Sequence, residues 1–333
     1  MVHWGLEGLS ATNYLIDQAS AAAGDDIRST IVLRSEIFRL ATTAKQADQL
    51  KQTACDLSEL CEWREAEELP VSTEGDTVFG GLRLFNGCKV LHLESYLKGL
   101  WLACQTRQNK IIGTEIQWKQ SNLVGAADVS SLDILGKYDS VVWAAGSGLF
   151  QSDELRSWLL DPTLPNSTRF PIQLVRGQSV EVRLLGTCET RNRNQGLLSG
   201  KYVSPLPDPR CVLVGATHEF HTDPLSRDEV INELRERTKS FSPQLWEEGV
   251  VIDRYTEGIR VQTQRGSKGR LPVVGKLAKS DTKLDHWIFT GLSSRGLLYH
   301  GIYGKLLARA ILERSERCLV AQCPGFDWWR SQE

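Results

Sequence analysis

The 333-residue chain has a single methionine, Met1, and no surplus of either charge, with 39 Lys and Arg against 41 Asp and Glu. Without a global positive field, non-specific binding to nucleic acid lacks an electrostatic basis, although a local patch stays open. No apolar run reaches the roughly 18 residues that a membrane-spanning helix needs, so no membrane partner is expected. The opening Met-Val-His-Trp-Gly-Leu-Glu has neither a basic n-region nor an apolar h-region, which argues against a secretory signal. The eight cysteines include no Cys-x-x-Cys and follow no regular spacing, as expected for buried, reduced thiols of an intracellular protein. The Asn166-Ser167-Thr168 sequon then carries no meaning. His218-Glu219-Phe220-His221 lacks the two intervening residues of H-E-x-x-H, and no metal site is expected. What is present, 41% apolar and 24% charged residues, is globular composition that excludes disorder, collagen-like repeats and coiled coil.

Periodicity predicts a helix over 7–23, a strand over 31–40, helical leucine spacing over 43–65 and a bulged strand over 78–85. An amphipathic helix over 91–105 carries Leu91, Tyr96, Leu97, Leu100 and Trp101 as its apolar stripe. Strands follow at 110–118 and 140–145, the second fully buried, and then a helix at 153–160 closed by Asp161-Pro162. Short strands at 172–175, 179–184, 201–204, 211–215 and 249–261, with one helix at 227–240, indicate a largely antiparallel sheet. A strand at 286–290, a turn at 291–296 and a helix from about 301 to 313 close the chain. A parallel α/β element (roughly 90–160 and 284–315) is thus interleaved with an antiparallel one, and a late strand–glycine turn–helix suits a nucleotide cofactor.

Three places carry chemistry. The strand ending in Ala145-Gly146-Ser147-Gly148 permits close backbone approach to a cofactor because no Cβ intervenes; the same glycines also serve a tight strand-to-helix turn. As a dinucleotide fingerprint it fails, since Gln151 stands where the third glycine would fall, which weakens an NAD-linked reading. Thr290-Gly291-Leu292-Ser293-Ser294-Arg295-Gly296-Leu297 opens a helix whose positive end would face an electron-rich group, with Arg295 as a cation; a plain glycine-rich connector is the other reading. Arg260, in Gly258-Ile259-Arg260-Val261, is the residue type suited to bidentate capture of a carboxylate, though an arginine on a strand is commonly a surface residue.

Taken in order, Tyr138–Gly146, Pro171–Gln178, Val212–Glu219, Gly258–Arg260 with Leu271–Gly275, and Thr290–Leu297 resemble the D-amino-acid oxidase-like family of FAD-dependent oxidoreductases. The glycine oxidase-like members and the FAD domain of the bacterial tRNA 5-methylaminomethyl-2-thiouridine biosynthesis enzyme look nearest, and the resemblance covers nearly the whole chain. It implies an α/β (α+β) fold in which an incomplete FAD-binding, Rossmann-like parallel sheet is interleaved with a largely antiparallel substrate domain. The FAD-binding part would comprise 1–24, 86–160 and 260–333, and the substrate domain 25–85 and 161–259. Ala145, Gly146 and Gly148 would pass near the FAD. Gly291, Ser293, Ser294, Arg295, Gly296 and Leu297 would line the flavin's pyrimidine edge and ribityl chain, and Arg260 would pair with the substrate carboxylate. Arg176-Gly177-Gln178 would enter the flavin face in a structural or a catalytic role. The implied chemistry is oxidation of a C–N bond in an amino acid or secondary amine by hydride transfer to flavin, the imine being hydrolysed by water.

The sequence departs from that family at its start. The strand, Gly-x-Gly-x-x-Gly turn and helix that hold the FAD pyrophosphate are not found, and Met1–Gly5 look like a point about 50 residues past them. The alternative reading is therefore a truncated, flavin-free remnant with a non-enzymatic role or none. A second alternative, modification of a tRNA wobble-uridine side chain, would need a basic face that the balanced charge does not favour. A cytoplasmic location is the default, with an organelle left open by the N-terminus.

Overall fold

The computed structural model describes residues 2–71, 78–108, 115–120, 138–153, 155, 172–184, 195–220, 223–247, 249–266, 269–277, 284–323 and 328–330. Its α-helices are α1 Val2–Ala22, α2 Asp25–Ile31, α3 Ala44–Asp56, α4 Leu93–Gln108, α5 Gly148–Gln151, α6 Arg227–Thr238, α7 Gly296–Leu312 and α8 Arg317–Gln322. The strands are β1 Val32–Arg34, β2 Ile37–Leu40, β3 Cys61–Arg64, β4 Gly81–Leu84, β5 Val90–Leu91, β6 Ser140–Trp143 and β7 Ile172–Leu184. They continue with β8 Gly196–Ser199, β9 Lys201–Pro205, β10 Cys211–Gly215, β11 Val250–Thr263, β12 Val273–Lys276 and β13 Asp285–Thr290. No described helix is long and apolar enough to cross a membrane.

The chain divides into two compact units, one of residues 1–12, 117–175 and 259–333, the other of 13–116 and 176–258. The second unit holds the eight-stranded sheet, in the order β11-β7-β10-β9-β8-β2-β4-β3. β7, β10, β9 and β8 pair antiparallel in succession, β8 pairs parallel with β2, and β2, β4 and β3 are again antiparallel. One face buries alternate residues, among them Phe38, Leu40, Val180, Val182, Val212 and Val214, against Val230 and Leu234 of α6. α6 starts in a capping box, Ser226 and Glu229 each satisfying the other's backbone N–H. On the opposite face α3 packs Ala47 and Leu50 over Leu82 and Cys61. In the same unit the latter half of α1 packs on α4, where a Cβ on Gly99 would come within 2.9 Å of the Ala19 carbonyl oxygen.

The first unit is built on a three-stranded sheet, β12-β13-β6, with β12 antiparallel and β6 parallel to β13. α7 covers one face, burying Tyr299, Tyr303, Leu306 and Leu307 on Val274 and Trp287. The other face joins Trp143, Ile288, Val273 and Val261 to Leu149, Phe150 and Trp329. The start of α1 crosses α7 so closely that a Cβ on Gly8 would lie 2.3 Å from the Leu298 carbonyl oxygen, and one on Gly301 would meet Ala11. The Thr12 hydroxyl donates to the Leu297 carbonyl at 2.6 Å, closing that crossing.

The expected α/β architecture, with a parallel pair in one sheet and a mainly antiparallel second sheet, is the one found. Several local expectations are corrected. The strand expected over 31–40 is two strands after a helix, and the helical reading of 43–65 stops at Asp56, where β3 takes over from Cys61. The two strands at 172–175 and 179–184 are one continuous β7, and β8 had no counterpart in the reading. Leu97, placed in the apolar stripe of α4, is 62% exposed, the packing face being Ser95, Tyr96 and Gly99. Residues 115–120 form no regular element, and 110–114 lie outside the described residues, as do the Asn166 sequon and most of 153–160. The strand at 140 is not fully buried: Val142 is 40% exposed and Ala144 and Ala145 are exposed, β6 being an outer strand of its sheet among the described residues.

Candidate cofactor site

β6 and β13 run parallel in the register Ser140 with Asp285 through Trp143 with Ile288. Extending that register two residues brings Ala145 level with Thr290. Each chain then turns through a glycine in the left-handed region, Gly146 at φ 56° and Gly291 at φ 72°. The carboxyl ends of two adjacent parallel strands therefore deliver their turns side by side, which is where open α/β sheets bind ligands. Beneath the turns the strands are tied by a buried pair. The Trp143 indole N–H donates to His286 Nδ1 at 3.1 Å, and the two ring planes lie within 2° of parallel with their centroids 6.0 Å apart.

The two glycines differ in what surrounds them. A Cβ on Gly291 would lie 2.9 Å from Thr263 Cγ2 and 3.1 Å from the Val273 nitrogen, so this turn is glycine for close packing as well as for φ. At Gly146, Gly148 and Gly296 no atom lies within 4 Å of where a Cβ would stand. Their backbone is bare, and Leu149 and Phe150, both buried, hold the first turn in place from below. A flat cofactor needs such Cβ-free approach, and in this respect the residues present fit FAD.

The second turn leads into a helix end with no side-chain cap. The Arg295 N–H donates to the Leu292 carbonyl at 3.1 Å, and α7 then runs for 17 residues from Gly296. Its first backbone N–H groups and the positive end of its dipole are the groups that would meet an electron-rich partner. Arg295 itself folds back, its guanidinium 6.0 Å over the Tyr299 ring and 3.4 Å from the Tyr299 hydroxyl. Leu297 is 43% exposed. One turn further on, His300 donates from Nδ1 to the carbonyls of Leu297 and Gly296 at 2.9 and 3.2 Å. Burial pushes its pKa below the ordinary histidine value and so favours the uncharged ring beside this helix end.

β11 runs into the same region. Gln262 bridges Leu292 across an antiparallel contact, and the Thr263 N–H donates to Ser293 Oγ at 3.4 Å. Arg260, half-buried, stands two residues earlier on the same face of the strand as Gln262. The structure thus gathers Gly146, Gly148, Gly291–Leu297 and the last residues of β11, from Ile259 with Arg260 onward, within one unit. Sequence reasoning missed Gln262, Thr263 and Arg270, whose guanidinium bonds the Thr263 carbonyl. Their contacts with the turn join residues about thirty apart and leave no local pattern to read. Arg176, in the other unit, pairs with Glu257 at 3.1 Å, and the Gln178 N–H donates to the Thr217 hydroxyl at 2.8 Å. His218 stacks edge-on against Phe220, and His221 lies outside the described residues.

Known proteins resemble this chain in family and in fold. Residues 8–310 match the family model described as DAO, FAD dependent oxidoreductase. A glycine oxidase from Geobacillus kaustophilus is similar in fold at a TM-score of 0.63, covering 95% of this chain and 80% of its own at 17% identity. Iminodiacetate oxidase from Chelativorans sp. BNC1 gives 0.62, covering 93% and 79% at 16% identity. L-proline dehydrogenase from P. horikoshii gives 0.62, covering 96% and 83% at 12% identity. No curated protein matches the sequence. With the family model spanning most of the chain and the parallel-strand turns in place beneath it, this protein belongs to the DAO family of FAD-dependent oxidoreductases.

Proposed function

We propose that the chain oxidises a C–N bond of a small amine bearing a carboxylate, an amino acid or a secondary amine, with FAD held at the carboxyl ends of β6 and β13. The observation that carries this reading is the pair of level, parallel strand ends, each turning through a left-handed glycine, beside an uncapped helix. Gly146, Gly148 and Gly296 would let the cofactor lie against bare backbone, with Ala145 beside them. Ser293, Ser294 and the first N–H groups of α7 would hydrogen-bond its polar edge, Gly291 and Leu297 would border it, and Arg295 would stay folded on Tyr299 as a nearby cation. When bound, FAD would supply the two-electron acceptor for the reaction. Arg260 would fix the substrate by its carboxylate, a contact that sets orientation rather than electron transfer. The unit of residues 1–12, 117–175 and 259–333 would then be the cofactor-binding part and the other the substrate part. Glycine, iminodiacetate and L-proline, the substrates named for the similar structures, are all carboxylate-bearing amines and give the first panel to assay.

The test is steady-state oxidation of that panel with FAD and a dye acceptor, comparing the wild type with Arg260→Met. The expected result is turnover of at least one amine, with KM raised roughly tenfold or more in the variant and the FAD Kd within about twofold of wild type. Equal losses of substrate and flavin affinity would remove Arg260 from the substrate role.

A further inference from the structure

The last residue of β11, Thr263, is fully buried, yet its hydroxyl has no hydrogen-bond partner among the described residues. Nearly all buried polar groups in folded proteins are bonded, because an unbonded one carries its desolvation cost with nothing returned. Everything else about Thr263 is in use. Its N–H donates to Ser293 Oγ, its carbonyl accepts from Arg270, and its methyl Cγ2 fills the space a Gly291 side chain would take. The unbonded hydroxyl therefore belongs to a residue packed directly against Gly291 and Ser293 of the turn.

The turn above it is held by long bonds at Ser293. Ser293 is a non-glycine residue at φ 56°, a conformation an L side chain adopts at a cost. Its two hydrogen bonds, from the Thr263 N–H at 3.4 Å and to the Gly291 carbonyl at 3.3 Å, are at the long limit for such bonds. The helix that follows begins without a side-chain cap. A strained serine, two long bonds and a buried unbonded hydroxyl are what a turn with a second arrangement close in energy would display in one of its two states.

We propose that Thr263 is a positioning residue for this turn, its hydroxyl taking up a bond to the turn only in the arrangement that receives the cofactor. The inference rests on the FAD reading of the site. Thr263 does not touch the cofactor; it fixes the turn whose serines and backbone N–H groups do. Selection for binding would explain why a group that weakens the free protein is kept at this position.

The hydroxyl can be removed without changing the packing, since Thr263→Val keeps Cγ2 and Thr263→Ser keeps the hydroxyl while losing the methyl. For the wild type and both variants, the melting temperature of the flavin-free protein and the FAD Kd from quenching of flavin fluorescence are measured together. Thr263→Val is expected to raise the flavin-free melting temperature by about 2 °C. The same change should weaken FAD roughly fivefold or more, with Thr263→Ser within about twofold of wild type. A merely structural role would move both quantities the same way, and so would not give these opposite signs. A Thr263→Val protein that binds FAD like the wild type overturns the inference while leaving the site reading intact. So does a lowered flavin-free melting temperature in that variant, or a loss of FAD affinity in Thr263→Ser as large as that in Thr263→Val. A wild type that does not bind FAD at all overturns the site reading and this inference with it.

Discussion

On one side of the three-stranded sheet, the carbonyls of Pro272, Val274 and Lys276 each accept a hydrogen bond from a side chain near the end of the chain. The donors are Trp328 at 3.1 Å, Trp329 at 3.3 Å and Arg330 at 2.6 Å. Glu316 completes the clasp, accepting from the Lys276 N–H at 2.6 Å and from both terminal nitrogens of Arg330 at 2.9 and 2.6 Å. On the other side, β6 leaves Val142 40% exposed and runs through exposed Ala144 and Ala145 into a glycine turn with open space around it. An outer strand left bare invites unwanted pairing, and covering it with fixed donors is a structural solution. The two sides therefore differ in kind. The β12 side is closed by side chains and serves the fold, while the β6 side is open at the end where the parallel strands stop, which is where the proposed cofactor site lies.

The sharpest way to break the comparison is Gly148→Leu, which places a bulky side chain on the open side at a position where a Cβ meets nothing within 4 Å. FAD affinity should fall roughly hundredfold, about 2.7 kcal/mol, with the melting temperature nearly unchanged. Equal damage to both, measured by fluorescence quenching and thermal melting, would mean that the open side is structural after all. Arg330→Ala attacks the closed side. It strips Glu316 of its cation and the Lys276 carbonyl of its donor, and should cost about 1–3 kcal/mol in denaturant unfolding while leaving the FAD Kd within about twofold. Trp143→Phe lies beneath both turns and removes the donor to His286. A loss of about 1 kcal/mol is expected, with a small matching decrease in FAD affinity.

The smallest effect concerns pH. Burial pushes the Cys323 thiol, in the core under α7, up to about 12. A raised folded-state pKa contributes stability that is present below the unfolded thiol value, about 8.5, and is lost as pH rises toward the folded one. Stability should therefore decline above about pH 9, and Cys323→Ala should flatten that decline. An unchanged slope in urea titrations at pH 8 and 10 would show that other groups, such as the buried Tyr96 raised to about 12, account for it.

The parts of this site that were legible in the sequence are those with a local signature. Glycines immediately after an apolar strand mark Gly146, Gly148 and Gly291 whatever the rest of the chain does. Exposure was not legible. Val141-Val142-Trp143 has the composition of a fully buried strand, and only the absence of a described strand beyond β6 reveals Val142 as exposed. The helix expected from about Gly301 starts at Gly296; in the sequence Gly296 reads as the last residue of the turn and Gly301 as the first of the helix. What makes them helical is tertiary: α1 approaches Gly301 through Ala11 and fixes Leu297 through Thr12. Thr263 and Gln262 gave no signal at all, since their significance lies in a turn some thirty residues away.

The most direct test of the account is to titrate the purified chain with FAD, follow the visible absorption spectrum and pass the mixture through a desalting column. If the open ends of β6 and β13 hold the cofactor, the flavin bands shift on mixing and elute with the protein. A protein that emerges colourless, with its melting temperature unmoved by FAD, would contradict the claim that this side of the sheet is a binding site.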